Sequence, residues 1–168
     1  ADQIKNRWPK TTFDVFTADT DVLKKSIEKC GLQNGDWITT LYVSPEELPK
    51  YLRNCDVGFS FRRGGVSTLG VSPIKIADYL LNGVPVVGTE DIGDGAISER
   101  SDVFFAMDPT GRKDQEMLLN WLDAVVFKNR DRVSRECQTM GRQLFDVSLS
   151  VEAYSKAVNF ALSTKRSN

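Results

Sequence analysis

Short apolar runs alternate along the chain with segments whose apolar residues recur at helical spacing. Five of the runs predict β-strands, because they are rich in β-branched and aromatic residues and are flanked by turn residues; they lie at about 13–17, 38–43, 56–61, 85–89 and 102–107. The runs Val-Gly-Phe-Ser-Phe at 57–61 and Pro-Val-Val-Gly-Thr at 85–89 are apolar on both faces, which is typical of parallel strands covered by helices on both sides. The pattern therefore predicts a parallel sheet.

The intervening segments predict helices. One carries Leu23, Ile27 and Cys30 on a single face, and another begins after Ser72 and ends near Asn82. A further helix is marked by the i, i+3, i+4, i+7 stripe of Leu118, Trp121, Leu122 and Val125. Others are expected at about 4–8, 49–54, 130–145 and 151–163. The alternation predicts a Rossmann-like α/β fold, a parallel sheet sandwiched between helices, in one domain over residues 1–168.

Composition narrows the classes of protein that fit this pattern. The chain has 168 residues, of which 40% are apolar and 27% charged, as is typical of a globular domain. Its net charge of −1 argues against a nucleic-acid-binding protein, which needs a basic surface. No apolar run approaches the ~18 residues of a membrane-spanning helix. We therefore expect neither a nucleic-acid partner nor a transmembrane segment.

The absence of histidine has the strongest consequence for chemistry. It excludes nucleophilic sites of the Ser-His-Asp or Cys-His type and every histidine-ligated zinc site. The three cysteines, Cys30, Cys55 and Cys137, are far apart and form no C-x-x-C pair. We expect reduced, mostly buried thiols in a cytoplasmic protein, and no metal site.

The most glycine-rich segment of the chain follows the predicted strand 56–61. In parallel α/β sheets, ligands bind beyond the carboxyl ends of the strands, where this segment falls. Arg62 and Arg63 enter the segment. Ser72 then provides a good helix N-cap, Pro73 suits the first helical position, and Lys75 projects from the first turn. The free N–H groups, the helix dipole and these cations predict a site for an anion such as phosphate.

Asp78 extends this site along the helix. It follows Lys75 by three residues, which places both near one helix face. It also lies six residues beyond Ser72, or roughly 9 Å along the helix axis. That is about the separation between a diphosphate and its ribose, whose paired hydroxyls usually donate to a carboxylate. The spacing therefore predicts a nucleoside diphosphate lying along the helix.

Other interpretations of these residues stay open. Ser72 and Pro73 are also ordinary capping residues, and the arginines and glycines also fit a plain solvated loop. Lys75 and Asp78 also fit a solvated i, i+3 ion pair. A P-loop is the nearest alternative site, since residues 65–72 fit G-x-x-x-x-G-K-[ST] except that Val71 replaces the lysine. The G-x-G-x-x-G fingerprint of a dinucleotide site is absent from the sequence.

The sequence S-P-I-K-I-A-D-Y-L-L-N-G-V-P-V-V at residues 72–87 resembles a known signature. That signature, S-P-x-K-x-x-E-Y-L-x-x-G-x-P-V-V, belongs to the C-terminal domain of family-4 glycosyltransferases of the GT-B fold. The segment E-L-P-K-Y-L-R-N-C-D-V-G at 47–58 and the Gly-Asp pair at 93–94 resemble the same family. The resemblance covers roughly residues 10–108, and the C-terminal helices more loosely.

The resemblance implies a nucleotide-sugar donor site and assigns its residues. Ser72, with the backbone of Pro73 and Ile74, would meet the diphosphate, to which Lys75 would add positive charge. Asp78 stands where the family has a ribose-binding glutamate, and Tyr42 and Val43 match a strand end near the nucleobase. The sequence departs from the family at Gly70, where another glutamate is usual.

The implied parent protein is a retaining, metal-independent glycosyltransferase of the hexosyltransferase type, which needs no cofactor. It would transfer a sugar from a nucleoside diphosphate sugar to a glycan or lipid-linked acceptor in polysaccharide biosynthesis. Its location would be cytoplasmic, with membrane association of the full-length enzyme. The acceptor would bind an N-terminal domain that lies outside this sequence, so we expect the chain alone to be inactive. The alternative is a non-catalytic nucleotide-binding or interaction module with the same fold.

Overall fold

A computed structural model of the chain describes residues 2–29, 37–61, 74–89, 97, 99–107 and 114–165. The chain divides into two compact units, residues 1–51 and 52–168. Both contain parallel strands, and the second also shows helices packed on its sheet, so the predicted α/β class is confirmed. The single domain expected over 1–168 stays a prediction.

The first unit alternates helices and strands: α1 (Asp2–Arg7), β1 (Phe13–Phe16), α2 (Thr20–Lys29), β2 (Ile38–Leu41) and α3 (Leu48–Leu52), whose last residue belongs to the second unit. The strands pair in parallel, with Phe13 opposite Ile38 and Phe16 opposite Leu41. The Phe13 ring lies 6.2 Å from the Trp37 ring. Every described side chain of residues 3–51 is at least partly exposed, so the described part of this unit contains no fully buried core.

The second unit contains the larger sheet and the hydrophobic core. Its elements are β3 (Gly58–Ser60), α4 (Ile74–Leu81), β4 (Val86–Thr89), β5 (Phe104–Met107), α5 (Gln115–Trp121), a π-helical turn (Leu122–Phe127), α6 (Arg130–Phe145) and α7 (Val147–Lys165). The strands lie in the order β3-β4-β5, and both pairs are parallel. The sequence pattern identified the five strands of the described residues, but the structure pairs them in two sheets instead of one.

The two faces of the larger sheet carry different side chains, because successive residues of a strand point to opposite sides. One face is covered by α4 and α6, and its core contains Ile76, Leu80, Val86, Phe104, Val133, Cys137 and Met140. The other face carries Phe59, Val87 and Phe105 in register. There the Phe105 ring lies 5.5 Å from that of Trp121 in α5. Helices therefore contact both faces of this sheet.

All four members of the stripe predicted around residue 120 face the interior. Leu118, Trp121 and Leu122 are buried, and Val125 is partly buried and packs against the core cluster. Val126, which the stripe did not include, is buried as well. Val125 and Val126 belong to the π-helical turn, which starts at Leu122 and bonds i to i+5, so that each turn holds more residues than in an α-helix.

The two cysteines that the structure describes, Cys55 and Cys137, fit the expectation of reduced, mostly buried thiols. Cys137 lies in the core, where burial, and next the charge of Asp102, raises the pKa of its thiol to about 12. Cys55 is half-buried, and neither Cys55 nor Cys137 forms a disulfide bond. Cys30 lies outside the described residues.

Gly141 lies where the backbones of α6 and α4 approach each other closely. A Cβ atom there would lie 2.8 Å from the backbone nitrogen of Leu81 and 3.0 Å from the carbonyl carbon of Leu80. Alanine favours helices by ~1 kcal/mol over glycine. We nevertheless expect Gly141→Ala to destabilise the fold by about 1–3 kcal/mol, because the two backbones must separate.

Urea unfolding of Gly141→Ala measures this effect. Gln143→Ala, on the exposed side of the same helix, is the matched control and should change the free energy of unfolding by less than ~0.5 kcal/mol. A Gly141→Ala variant as stable as the parent would contradict the close approach.

Candidate functional site

The predicted site residues fall into three groups. Ser72, Pro73, Arg62 and Arg63 lie outside the described residues, as do Gly70 and the segment 92–94. Ile74, Lys75 and Asp78 lie together on α4 in the second unit. Tyr42 and Val43 belong to the first unit. The structure therefore brings together the three residues on α4, and the roles of all the predicted site residues stay predictions.

The inner side of α4 fixes which residues face outward. Ile76 and Leu80 are four residues apart and are both 0% exposed, so they anchor one side of the helix in the core. Ile74 and Lys75 are consequently exposed, and Asp78 is half-buried. Helical periodicity alone places these three residues away from the core.

A Schellman motif ends α4. The N–H of Val84 donates to the carbonyl of Tyr79 over 2.9 Å, and the N–H of Gly83 donates to that of Leu80 over 2.9 Å. Gly83 has φ +79°, a conformation that glycine adopts at little cost. The motif leads the chain directly into β4, and this confirms the predicted closure of the helix at Gly83.

The direction of α4 follows from the parallel pairing of β3 and β4. A crossover between parallel strands leaves the carboxyl end of the first and returns to the amino end of the second. Because α4 lies within this crossover, its first residues, Ile74 and Lys75, are nearer the carboxyl ends of the strands than Leu81 is. In parallel α/β sheets, ligands bind at that end.

Lys75 and Asp78 do not form the ion pair that was one interpretation of their spacing. Among the residues that the structure describes, neither side chain has a salt-bridge or hydrogen-bond partner. For comparison, Lys156 and Glu152 on α7 do form an i, i+4 pair. The cation and the carboxylate on α4 therefore remain available to a ligand as far as the described residues go.

The environment of Asp78 is poorer in water than that of an ordinary surface carboxylate. Burial raises the pKa of Asp78 above its usual range. A carboxylate that has lost part of its hydration gains more from a new hydrogen-bond donor than a fully hydrated one does. Asp78 is thus suited to accept hydrogen bonds from hydroxyl groups of a ligand.

Tyr79 and Gly58 belong to this region but were missed by the sequence analysis. The Tyr79 ring lies against the backbone of Gly58, and its hydroxyl donates to the carbonyl of Phe59 over 3.5 Å. Burial, and then the neighbouring charges, raises the pKa of the Tyr79 phenol. One signal was present in the sequence, since a glycine inside a strand often marks a close approach by another part of the chain.

Tyr42 and Val43 follow directly after β2, at its carboxyl end. Tyr42 is 73% exposed and Val43 is half-buried. Their expected position at a strand end is therefore confirmed, although the predicted strand 38–43 ends two residues earlier, at Leu41. Their contact with a nucleobase stays a prediction.

A small cavity lies at the opposite, amino edge of the larger sheet. Its lining includes Arg53, Cys55, Gly83, Pro85 and Ser134. At about 30 Å³ it has room for about one water molecule and none for a nucleotide. One side is closed by an ion pair in which an Arg130 nitrogen lies 3.1 Å from an Asp56 carboxylate oxygen.

Comparisons with known proteins do not assign the chain to a family. No protein-family model matches the sequence, and a search of curated proteins gives no significant match. In the described part of the chain, no helix is long and apolar enough to cross a membrane. The same residues hold no group of three or more carboxylates and thiols placed to hold a metal ion. The resemblance to family-4 glycosyltransferases stays a prediction.

Proposed function

We propose that this chain binds the nucleoside diphosphate portion of a sugar donor, as the donor-binding part of a glycosyltransferase. The observation that carries the proposal is the pair of charges on the outer side of α4, neither of which has a side-chain partner among the described residues. Lys75 is an exposed cation near the helix start, and Asp78 is a half-buried carboxylate one turn further on. This order matches the order of diphosphate and ribose in the ligand.

The charges suit each part of such a ligand. Lys75 and the amino end of α4 both present positive charge to a diphosphate. Asp78 accepts hydrogen bonds from the ribose hydroxyls, for which a carboxylate is the usual partner. In sugar transfer the diphosphate is the leaving group, so the same positive charges would stabilise the negative charge that develops on it.

The reaction of the parent enzyme rests on the sequence resemblance. We propose a retaining transfer of a hexose to a hydroxyl of a glycan or lipid-linked acceptor. In this proposal the described part of the chain contributes donor binding and stabilisation of the leaving diphosphate. A non-catalytic module that binds the nucleotide alone would use the same two side chains.

Isothermal titration of the chain with UDP, GDP, ADP and the corresponding nucleosides tests the proposal. We expect at least one diphosphate to bind more tightly than its own nucleoside, because only the diphosphate meets Lys75 and the helix start. Titration with UDP-glucose and GDP-mannose then compares the affinities for a uracil and a guanine nucleotide that each carry a sugar. Equal binding of every nucleoside and its diphosphate would contradict the proposed site.

Removal of divalent metal should leave nucleotide binding intact. The positive charge in the proposed site comes from Lys75 and from the helix dipole. We therefore expect the affinity for UDP or GDP to change by less than about twofold when EDTA is added, at constant ionic strength because these contacts are screened by salt. Restoration of lost affinity by Mg²⁺ or Mn²⁺ would show that a metal carries part of the binding.

A further inference from the structure

The contact between Tyr79 and Gly58 is tighter than a helix–strand contact with ordinary side chains allows. A Cβ atom on Gly58 would lie 2.6 Å from two ring carbons of Tyr79, so only glycine fits beneath the ring. The Tyr79 hydroxyl reaches the next peptide group, at 3.5 Å from the carbonyl oxygen of Phe59. The ring is therefore seated against the backbone of β3.

This contact constrains the rotation of α4 about its own axis. Ile76 and Leu80 hold the inner side of the helix in the core, and Tyr79 meets β3 beside them. Consecutive residues of an α-helix are about 100° apart around the axis, since 3.6 residues make one turn. A rotation that moved the Tyr79 ring off Gly58 would therefore also move Asp78.

We propose that Tyr79 is a positioning residue for Asp78: its ring, seated on Gly58, sets the rotation of α4 and thereby holds the Asp78 carboxylate toward the ribose of a bound nucleotide. This inference rests on the proposed function. The ring carries the effect, because a hydroxyl–carbonyl distance of 3.5 Å is long for an O–H···O hydrogen bond. Tyr79→Phe should therefore preserve the positioning, and Tyr79→Ala should remove it.

The binding test uses Tyr79→Ala, Tyr79→Phe, Asp78→Asn and the double variant Tyr79→Ala/Asp78→Asn, titrated with uridine, guanosine and pyrophosphate. We expect Tyr79→Ala to weaken the binding of the nucleoside that the parent binds by roughly 3- to 10-fold, which lies in the lower part of the range of coupling between neighbouring residues. Pyrophosphate affinity should stay unchanged, and Tyr79→Phe should bind as the parent does. Once Asp78 is replaced by asparagine, Tyr79→Ala should cause no further loss.

A second readout needs no ligand. Titration of the Asp78 carboxyl carbon by ¹³C NMR follows its protonation directly. In Tyr79→Ala the carboxylate gains water, so the pKa of Asp78 should fall toward its ordinary value, whereas Tyr79→Phe should leave it unchanged. Gly58→Ala displaces the Tyr79 ring without removing it, so it should have the same effect as Tyr79→Ala. If the Tyr79→Ala variant does not fold, Gly58→Ala takes its place in both tests.

The two readouts separate the two proposals. If Asp78→Asn leaves nucleoside binding unaffected, the proposed function fails, and the carboxyl titration still decides whether Tyr79 positions Asp78. If Asp78→Asn weakens the nucleoside but Tyr79→Ala weakens nucleoside and pyrophosphate equally, Tyr79 is merely structural. An unchanged Asp78 titration in both Tyr79→Ala and Gly58→Ala would overturn the positioning role.

Discussion

Lys75→Ala is expected to weaken the binding of UDP or GDP by roughly 10- to 150-fold. A hydrogen bond to a charged group contributes about 1.5–3 kcal/mol, and each 1.4 kcal/mol is a factor of ten in affinity. The loss should be small for the bare nucleoside, which has no phosphate to contact. Isothermal titration with nucleoside and diphosphate in parallel separates the two contributions.

Asp78→Asn should give a different profile from Lys75→Ala. It keeps the shape of the side chain and removes the charge that accepts from the ribose hydroxyls. We expect it to weaken nucleoside and diphosphate alike, and to penalise the 2′-deoxy analogue less than the ribonucleoside. The two variants together therefore locate the phosphate and the ribose along α4.

A second cation of the same unit provides the control for these variants. Lys128 is exposed, and its Nζ atom lies 3.3 Å from an oxygen of the Asp123 carboxylate in the turn before α6. Lys128→Ala removes the same amount of charge, so it should leave the affinity unchanged if the effect of Lys75 is local. Binding of UDP or GDP that is equal in the parent, Lys75→Ala and Asp78→Asn would show that α4 is structural only.

Leu80→Ala is expected to produce the largest loss of stability, about 2–5 kcal/mol in the free energy of unfolding. Leu80 is 0% exposed and belongs to the core cluster between α4 and the larger sheet. Its replacement removes buried methyl groups and leaves a cavity that the surrounding helices and strands fill only in part.

The neighbouring leucine is the matched control for this prediction. Leu81 is 39% exposed, so Leu81→Ala should cost less than about 1 kcal/mol. Urea unfolding of both variants measures the difference. Equal losses for the two would mean that the rotation of α4 differs from the one described, which would also change the position of Asp78.

The sequence by itself determined the elements and the helix that bears the candidate site. Strand and helix patterns are local, because side-chain direction repeats every two residues in a strand and every 3.6 in a helix. For the same reason the spacing of Lys75 and Asp78 predicted their common side of α4, and Gly83 predicted the end of that helix. The parallel direction of the strands followed from their apolar character on both faces.

Only the tertiary structure decided how these elements pack. The pairing of strands in two sheets, the π-helical turn that buries Val126 and the approach of Gly141 to α4 depend on contacts between residues far apart in sequence. The same holds for the candidate site. Asp78 is half-buried on the outer side of α4, because Ile76 and Leu80 hold the inner side of that helix in the core while the Tyr79 ring lies against Gly58. Local periodicity predicts which residues share a helix face, but the packing of that helix determines how far each of their side chains is exposed to solvent.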